Sequence, residues 1–342
     1  MKKVFFITIL CGSVLAACGG GGGGDNSTAN NSPASAQVGP PVALSTENYE
    51  PAAREIVGSV SSLQSTGTAA QSFLTGVEVM SSMSSPAMLL QEKLPELAQL
   101  LKRGTHLTGA QYTEAIACPA GGKMDVIAND NNNNEELDAG DNVDLTLTSC
   151  QYGGLKITGK MGFRINSGTA FSNMTAASIN ISATINDYKA EFNDTVSIGD
   201  GSFTMNIAQA YLAALSGPAV SIDIQTPLMT TQVTQADTTK VFQLKNYTVN
   251  AIVSSTFTSW SVNGNVSVPT LGANTADIQT ITRFTPAAAT NYAAGGALLI
   301  TVRDGGKMRV TATGTANAKV ELDLNSDGIY ETFKLVPWID VL

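Results

Sequence analysis

Leu155-Lys156-Ile157-Thr158-Gly159-Lys160-Met161-Gly162-Phe163-Arg164-Ile165 is the stretch that decides the fold. Apolar side chains at 155, 157, 161, 163 and 165 alternate with Lys156, Thr158, Lys160 and Arg164. A period of two places the two sets on opposite faces of a β-strand. The alternation returns downstream at Ile179, Ile181 and Ile185, at Phe203, Met205 and Ile207, and at Val249, Ala251 and Val253. It continues at Val262 and Val266, at Leu298, Ile300 and Val302, at Met308 and Val310, and at Val320 and Leu322. Strands at this spacing predict an antiparallel meander of about a dozen strands. A sheet of that width curls into a half-barrel or barrel, or splits into a sandwich. Gly199-Asp200-Gly201, Asn263-Gly264 and Asp304-Gly305-Gly306 read as hairpin turns. No fixed-period repeat suggests a solenoid.

Upstream of residue 123 the pattern is different. Over 48–103 the period is helical: Asn48 stands at an N-cap position, Pro51 falls in a first turn, and Ile56, Val57, Val60 and Leu63 form one stripe. A second stripe uses Phe73, Leu74, Val77 and Met80, and a third uses Leu90, Leu94, Leu97 and Leu101, with Pro86 ahead of it and Pro95 within it. The expected fold is therefore mainly β with an N-terminal helical segment (α+β), a large curved antiparallel sheet packed against amphipathic helices. The boundaries predicted are a leader over 1–17, a flexible Gly/Asn/Ser-rich tether over 18–46, a helical segment over 47–110 and an antiparallel β domain over 111–342. The tether opens on six glycines at 19–24 and has no apolar period, so it cannot bury enough surface to fold.

Lys2 and Lys3, an apolar run over 4–10 and then small residues read as a secretory signal too short to span a membrane. Its ending, Leu15-Ala16-Ala17-Cys18, resembles the lipobox of bacterial lipoproteins at every position. That resemblance implies removal of 1–17 and acylation of Cys18, which becomes the lipid-carrying first residue. Position 19 is Gly rather than the aspartate that retains such proteins at the inner membrane. The resemblance thus implies a lipid anchor in the outer membrane, on its periplasmic or cell-surface face. Charged residues make up 14% of the chain, hydrophobic residues 43%, and the net charge is −9, more negative once Lys2 and Lys3 leave. Such a surface repels nucleic-acid phosphates, so membrane attachment rests on acyl chains. With Cys11 in the leader and Cys18 acylated, Cys118 and Cys150 remain as an even pair in an oxidising compartment, which predicts a disulfide over two separate buried thiols.

Two acidic loops carry candidate chemistry. From Asp130, oxygen side chains fall at loop positions 1, 3, 5, 9 and 12 as Asp130, Asn132, Asn134, Asp138 and Asp141, with Leu137 at position 8. This resembles EF-hand-like calcium loops, but position 6 is Glu135 where a glycine would ease the turn, and position 12 is the shorter Asp141. The second, Asp323-Leu324-Asn325-Ser326-Asp327-Gly328-Ile329-Tyr330-Glu331, resembles the D-x-[DN]-x-D-G-x-x-[DE] calcium loops between strands of extracellular β-proteins. Its ligand positions are Asp323, Asn325, Asp327, Ile329 and Glu331, and Lys334 at position 12 excludes a full EF-hand. The alternative for both is a solvated Asn/Asp-rich turn. Calcium at either is expected to be of low affinity, about 10⁻⁴–10⁻³ M. Cys118 and Cys150 flank the first loop on a long hairpin. Pairing Met124 with Leu145 and Val126 with Val143 aligns the apolar faces, with a bulge at Gly121-Gly122 absorbing the offset of the cysteines.

Cys118-Pro119-Ala120-Gly121-Gly122, the Asn/Asp loop, Ala139-Gly140-Asp141, Cys150, the terminal acidic loop and Trp338 together resemble a group of uncharacterised Gram-negative lipoproteins, and no activity comes with that likeness. His106, the single histidine, sits beside Lys102 and Arg103 at a predicted helix end, where a cation is favoured. There is no Gly-x-Ser-x-Gly, Ser-x-x-Lys, zinc-spaced His/Cys set or Walker loop. Asp144, Asp187, Glu191 and Asp194 read as solvated surface, and Trp260 as sheet packing rather than a binding-face aromatic. The leading expectation is an outer-membrane-anchored lipoprotein of non-enzymatic structural or binding role, its loops stiffened by calcium and a disulfide, with a protein, glycan or lipid partner. Beside it stand a carrier of lipid or another apolar ligand in a curved-sheet cavity, and a glycan-active enzyme with two facing carboxylates.

Overall fold

The structure, a computed structural model, describes residues 39–59, 111–152, 154–170, 178–210, 219–253, 258–286, 293–303, 305–314 and 316–338. The lipobox and Cys18, Val60 and Leu63 of the first helical stripe, the stripes over 73–80 and 90–101, and His106 lie outside these residues. The chain from 111 runs through β1 (Gln111–Ala117), β2 (Lys123–Asn129), β3 (Leu137–Asp138), β4 (Asn142–Tyr152), β5 (Leu155–Ser167), β6 (Thr169–Ala170), β7 (Ile179–Phe192) and β8 (Thr195–Ala210). It continues through β9 (Ala219–Gln235), β10 (Thr238–Val253), β11 (Thr258–Ser267), β12 (Thr275–Pro286), β13 (Ala293–Val302), β14 (Lys307–Ala312), β15 (Asn317–Asp323) and β16 (Thr332–Pro337). All but β3 and β6 form one 14-stranded antiparallel meander in which each strand pairs with its neighbours in sequence. The sheet is open, with β1 and β16 as its two edges. Strands β3 and β6 pair separately.

The alternation that predicts strands also selects the buried face. In β5, residues 155, 157, 161, 163 and 165 are buried while Thr158, Lys160 and Arg164 are exposed. The same face continues from Met124, Val126 and Ala128 in β2 to Ala318, Val320 and Leu322 in β15, and these residues belong to one hydrophobic core. Each fully buried aliphatic side chain contributes about 1.5–3 kcal/mol.

Two of the three predicted turns are not turns. Gly199-Asp200-Gly201 lies inside β8 and Asn263-Gly264 inside β11. The β7–β8 turn falls at Asn193-Asp194 and the β9–β10 turn at Ala236-Asp237, where Asn193, Ala236 and Asp237 all take positive φ. The glycines mark places where neighbouring backbones crowd together. A Cβ on Gly264 (φ 143°) would stand 2.6 Å from Tyr247 Cα, beside a register shift between Lys245 and Thr248. Gly159 (φ 137°) meets the Asp187 bulge in the same way, at 2.5 Å from the Asp187 carbonyl oxygen. Such bulges add twist and bend long strands, so these positions curve the sheet instead of ending its strands. Of the third, Gly305-Gly306 falls between β13 and β14, and Asp304 lies outside the described residues.

The helix α1 occupies residues 49–59 of the described chain. Its cap is Ser45: the hydroxyl accepts from the Glu47 and Asn48 amides (3.2 and 3.3 Å), while Asn48 Oδ1 accepts in return from the Ser45 amide (2.8 Å). This is a capping box with Asn48 at its third position rather than at the cap itself. Ala52, Ala53, Ile56 and Val57 are buried. Beside this face, Lys334 of β16 bonds Glu50 (2.6 Å) and Lys240 of β10 bonds Glu55 (2.9 Å). The two glutamates lie about 8 Å apart along the helix axis. Their lysines stand on strands six places apart, which is about 29 Å in a flat sheet. Curling of the sheet and the reach of the lysine stems make up the difference. The Lys334 hydrogen bond, opposed by burial and aided by Arg54, holds the Glu50 carboxyl below its ordinary value.

Ahead of α1, the Val42 amide donates to the Leu271 carbonyl (3.1 Å) and Asn274 Nδ2 donates to the Val42 carbonyl (2.8 Å). Leu44 packs where a Cβ on Gly306 would stand, 2.9 Å from that side chain.

Candidate functional site

The disulfide joins Cys118, in the turn after β1, to Cys150 near the end of β4, with Cα atoms 5.4 Å apart. The β2–β4 register differs from the one expected. Met124 faces Leu147 and Val126 faces Leu145, two residues further along β4. A shift of two keeps every side chain on its face, so the apolar pattern does not distinguish the registers. The irregularity does fall at Gly121-Gly122: a Cβ on Gly122 (φ 78°) would meet the Ser149 carbonyl oxygen at 2.0 Å, and Ser149 itself has φ 50°. In a meander successive turns alternate between the two ends of the sheet. The disulfide therefore sits at the end opposite the 130–141 loop it flanks in sequence, and on the same end as the 323–331 loop.

In the 130–141 loop, Asp130 and Asp141 are buried, at 2% and 0% exposure. Asp130 Oδ1 accepts from the Asn133 and Asn134 amides (2.6 and 3.3 Å), and Oδ2 accepts from the Glu135 amide (2.9 Å). Asp141 accepts from the Asn131 amide on Oδ1 (2.8 Å) and from the Asp138 amide on Oδ2 (2.9 Å). Asn132 and Asn134 donate their side-chain amides to the two oxygens of Asp138 (2.7 and 2.6 Å). Glu135 takes the positive φ (63°) for which glycine is the usual residue. Leu137 is buried, and β3 pins the loop to β6. Burial pushes the Asp141 carboxyl above its ordinary value, against the Asp138 and Asn131 amides that lower it and together with the nearby Asp138 and Asp130 charges.

The 323–331 loop joins β15 to β16. Asp323 is 1% exposed, and its Oδ2 accepts from the Gly328 amide (3.0 Å). Asn325 Oδ1 accepts from the Asp327 amide (3.0 Å), Asp327 Oδ1 from the Ile329 amide (2.7 Å) and Glu331 Oε2 from the Leu324 amide (3.0 Å). Gly328 has φ 90°. The Ser326 hydroxyl donates to the Gly305 carbonyl of the β13–β14 turn. Among the described residues no three His, Cys, Asp or Glu side chains already converge as a metal cluster.

Beside this loop, Glu321 (5% exposed) bonds Arg309 Nε and Lys319 Nζ, each at 2.6 Å. Arg309 stacks over Tyr330 at 4.3 Å and Lys319 over Phe333 at 4.8 Å. Burial would raise the Glu321 carboxyl, but the two cations outweigh it and its value falls below the ordinary one. A lowered carboxyl contributes stability above its unfolded value and loses it as pH falls through the folded value. Glu321→Gln is expected to cost about 1–2 kcal/mol at pH 7, with the difference from the parent shrinking in acid, as read by urea unfolding at pH 7 and pH 3.

A third feature is not legible in the sequence. On the outer face of β4, β5 and β7 the register makes a three-by-three grid: Asn142, Arg164 and Ser182; Asp144, Gly162 and Thr184; Thr146, Lys160 and Asn186. These residues line an open groove of about 430 Å³. Gly162 forms its centre, and a Cβ there would stand 2.8 Å from Asp144 Oδ1. The outward positions of each strand are readable by alternation, but their alignment requires the register.

Asp187 lies at a bulge, where its amide donates to Asp200 Oδ1 (2.6 Å), and Glu191 is held between Lys156 and Lys189. Asp194 is in the β7–β8 turn. Trp260 stacks on Phe284 with ring centroids 5.7 Å apart, in sheet packing. Comparison of the chain with protein-family models, curated proteins and solved structures finds no match, so the chemistry of these sites is argued from their own residues.

Proposed function

We propose that the protein is a lipid-anchored outer-membrane scaffold with a binding rather than catalytic role, and that the groove over Gly162 receives a hydroxylated or carboxylate-bearing ligand such as a glycan. The observation that carries the binding role is the grid. Its side chains offer hydrogen-bond donors and acceptors on three strands, with Lys160 and Arg164 on either side of the glycine and Asp144 against it. Polar groups fixed on strands keep a constant spacing, which suits recognition of hydroxyls. Glycoside hydrolysis uses two facing carboxylates, whereas Asp144 is the one acid lining this groove among the described residues. An apolar-ligand carrier would use the inner face, whose side chains instead join a common core.

Anchoring is supported by Leu15-Ala16-Ala17-Cys18 and the glycine-rich tether behind it. The test is a detergent phase separation of the full chain with mass analysis of its N-terminal peptide. The parent is expected in the detergent phase, beginning at an acylated Cys18. Cys18→Ala is expected in the aqueous phase with residues 1–17 retained. A parent chain that stays in the aqueous phase with its leader attached overturns the anchor.

A further inference from the structure

The structure assigns a divalent-cation site, of the calcium class, to the 323–331 loop, and withholds one from the similar 130–141 loop. The two loops share a backbone pattern. In each, the amide at position 6 donates to the carboxylate at position 1, the amide at position 5 to the side-chain oxygen at position 3, and the amide at position 7 to that at position 5. Asp327 too has both oxygens occupied, by the Ile329 amide and by Asn325 Nδ2, so the loops differ at position 1. In the 130–141 loop both oxygens of Asp130, Asp138 and Asp141 accept protein donors. That loop is closed on itself by nitrogen donors, and a cation would have to break several of these bonds to enter.

In the 323–331 loop the position-1 carboxylate is not closed. Asp323 Oδ1 is fully buried and has no hydrogen-bond partner among the described residues, while its sister oxygen is fixed on Gly328 and so turns the carboxylate into the loop. A buried carboxylate oxygen without a donor is costly, and buried polar atoms in folded proteins are almost always satisfied. The side-chain amide donor of the loop, Asn325 Nδ2, is committed to Asp327 Oδ2 (3.0 Å), and the groups around Asp323 supply oxygens: Asn325, Asp327, the Ile329 carbonyl and Glu331. A donor set of oxygens alone suits a hard ion with flexible coordination. It lacks the nitrogen and sulfur that would select zinc or copper. Magnesium, which demands tighter octahedral geometry and holds its water, fits less well. The acidic side chains do not yet converge, so the stretch 324–329 moves inward as the ion binds.

The experiment is a calorimetric titration of calcium chloride into the metal-stripped full chain in detergent. One saturable site is expected, with Kd on the order of 10⁻⁴–10⁻³ M. Asp323→Asn and Asp327→Asn are each expected to weaken it at least tenfold, and Asp130→Asn to leave it unchanged. Asp327 is exposed, so that variant keeps its fold and remains informative should Asp323→Asn misfold. Absence of a saturable signal up to about 10 mM calcium, ten times the weak end of that range, overturns the proposal. So does unaltered binding in Asp327→Asn, or binding lost in Asp130→Asn. None of these outcomes depends on the anchor or on the groove.

Discussion

Replacing Cys118 and Cys150 together by alanine is expected to lower stability by about 3–4 kcal/mol. The bond spans 32 residues of sequence, so its loss frees a sizeable loop in the unfolded chain. In the native state little should change at first, because Cys150 is buried in the core and Gly121 and Gly122 still lock the turn to Ser149 and Gln151. The effect therefore resides mainly in the unfolded ensemble. It should appear as a melting midpoint lower by on the order of 5–10 °C. A matched drop is expected when the parent is melted in strong reductant. A double variant that melts with the oxidised parent would show that the turn glycines alone hold this end.

The second large effect concerns α1. Ile56→Ala is expected to cost about 2–5 kcal/mol, and Ile56→Val about 0.5–1.5 kcal/mol. Ile56 has no exposed surface, and its helix is tied to the sheet through Glu50 to Lys334 and through Glu55 to Lys240. Glu55 is held by Lys240 and by the Thr270 amide (2.9 Å), so the helix cannot slide to refill the space. Urea unfolding of the two variants beside the parent checks the ratio. Equal small losses in both would mean that Ile56 lies in a looser site than its burial indicates.

The strands are legible because alternation fixes faces locally, as in β5, and that property survives any even shift of register. It is also why the β2–β4 pairing differs by two residues from the one expected: Met124 meets an apolar partner in either arrangement. The turns expected at Gly199-Asp200-Gly201 and Asn263-Gly264 fail for a related reason. A glycine beside Asp or Asn looks the same whether the chain reverses or merely bends, and only the crowding of the neighbouring strand tells the two apart. The real β9–β10 turn, Ala236-Asp237, carries no glycine at all. The disulfide follows from counting cysteines. The groove over Gly162 does not follow from anything local, since its nine grid residues come from three strands and meet only through hydrogen-bonded register. The two acidic loops are visible as a pair, and the difference between them lies in the placement of single oxygen atoms.

The meander has a consequence for how the chain acquires its structure. Thirteen strand pairings are all between consecutive partners, so nearly every association closes a short loop, and such a low contact order favours fast assembly for an all-β chain. The first described segment breaks this rule. Asn274 reaches back 232 residues to Val42, and Lys334 reaches back 284 residues to Glu50. During N-to-C synthesis α1 emerges early, yet its last partner lies on β16, the final described strand to appear. The bond between α1 and β16 can close only after nearly all of the polypeptide has appeared.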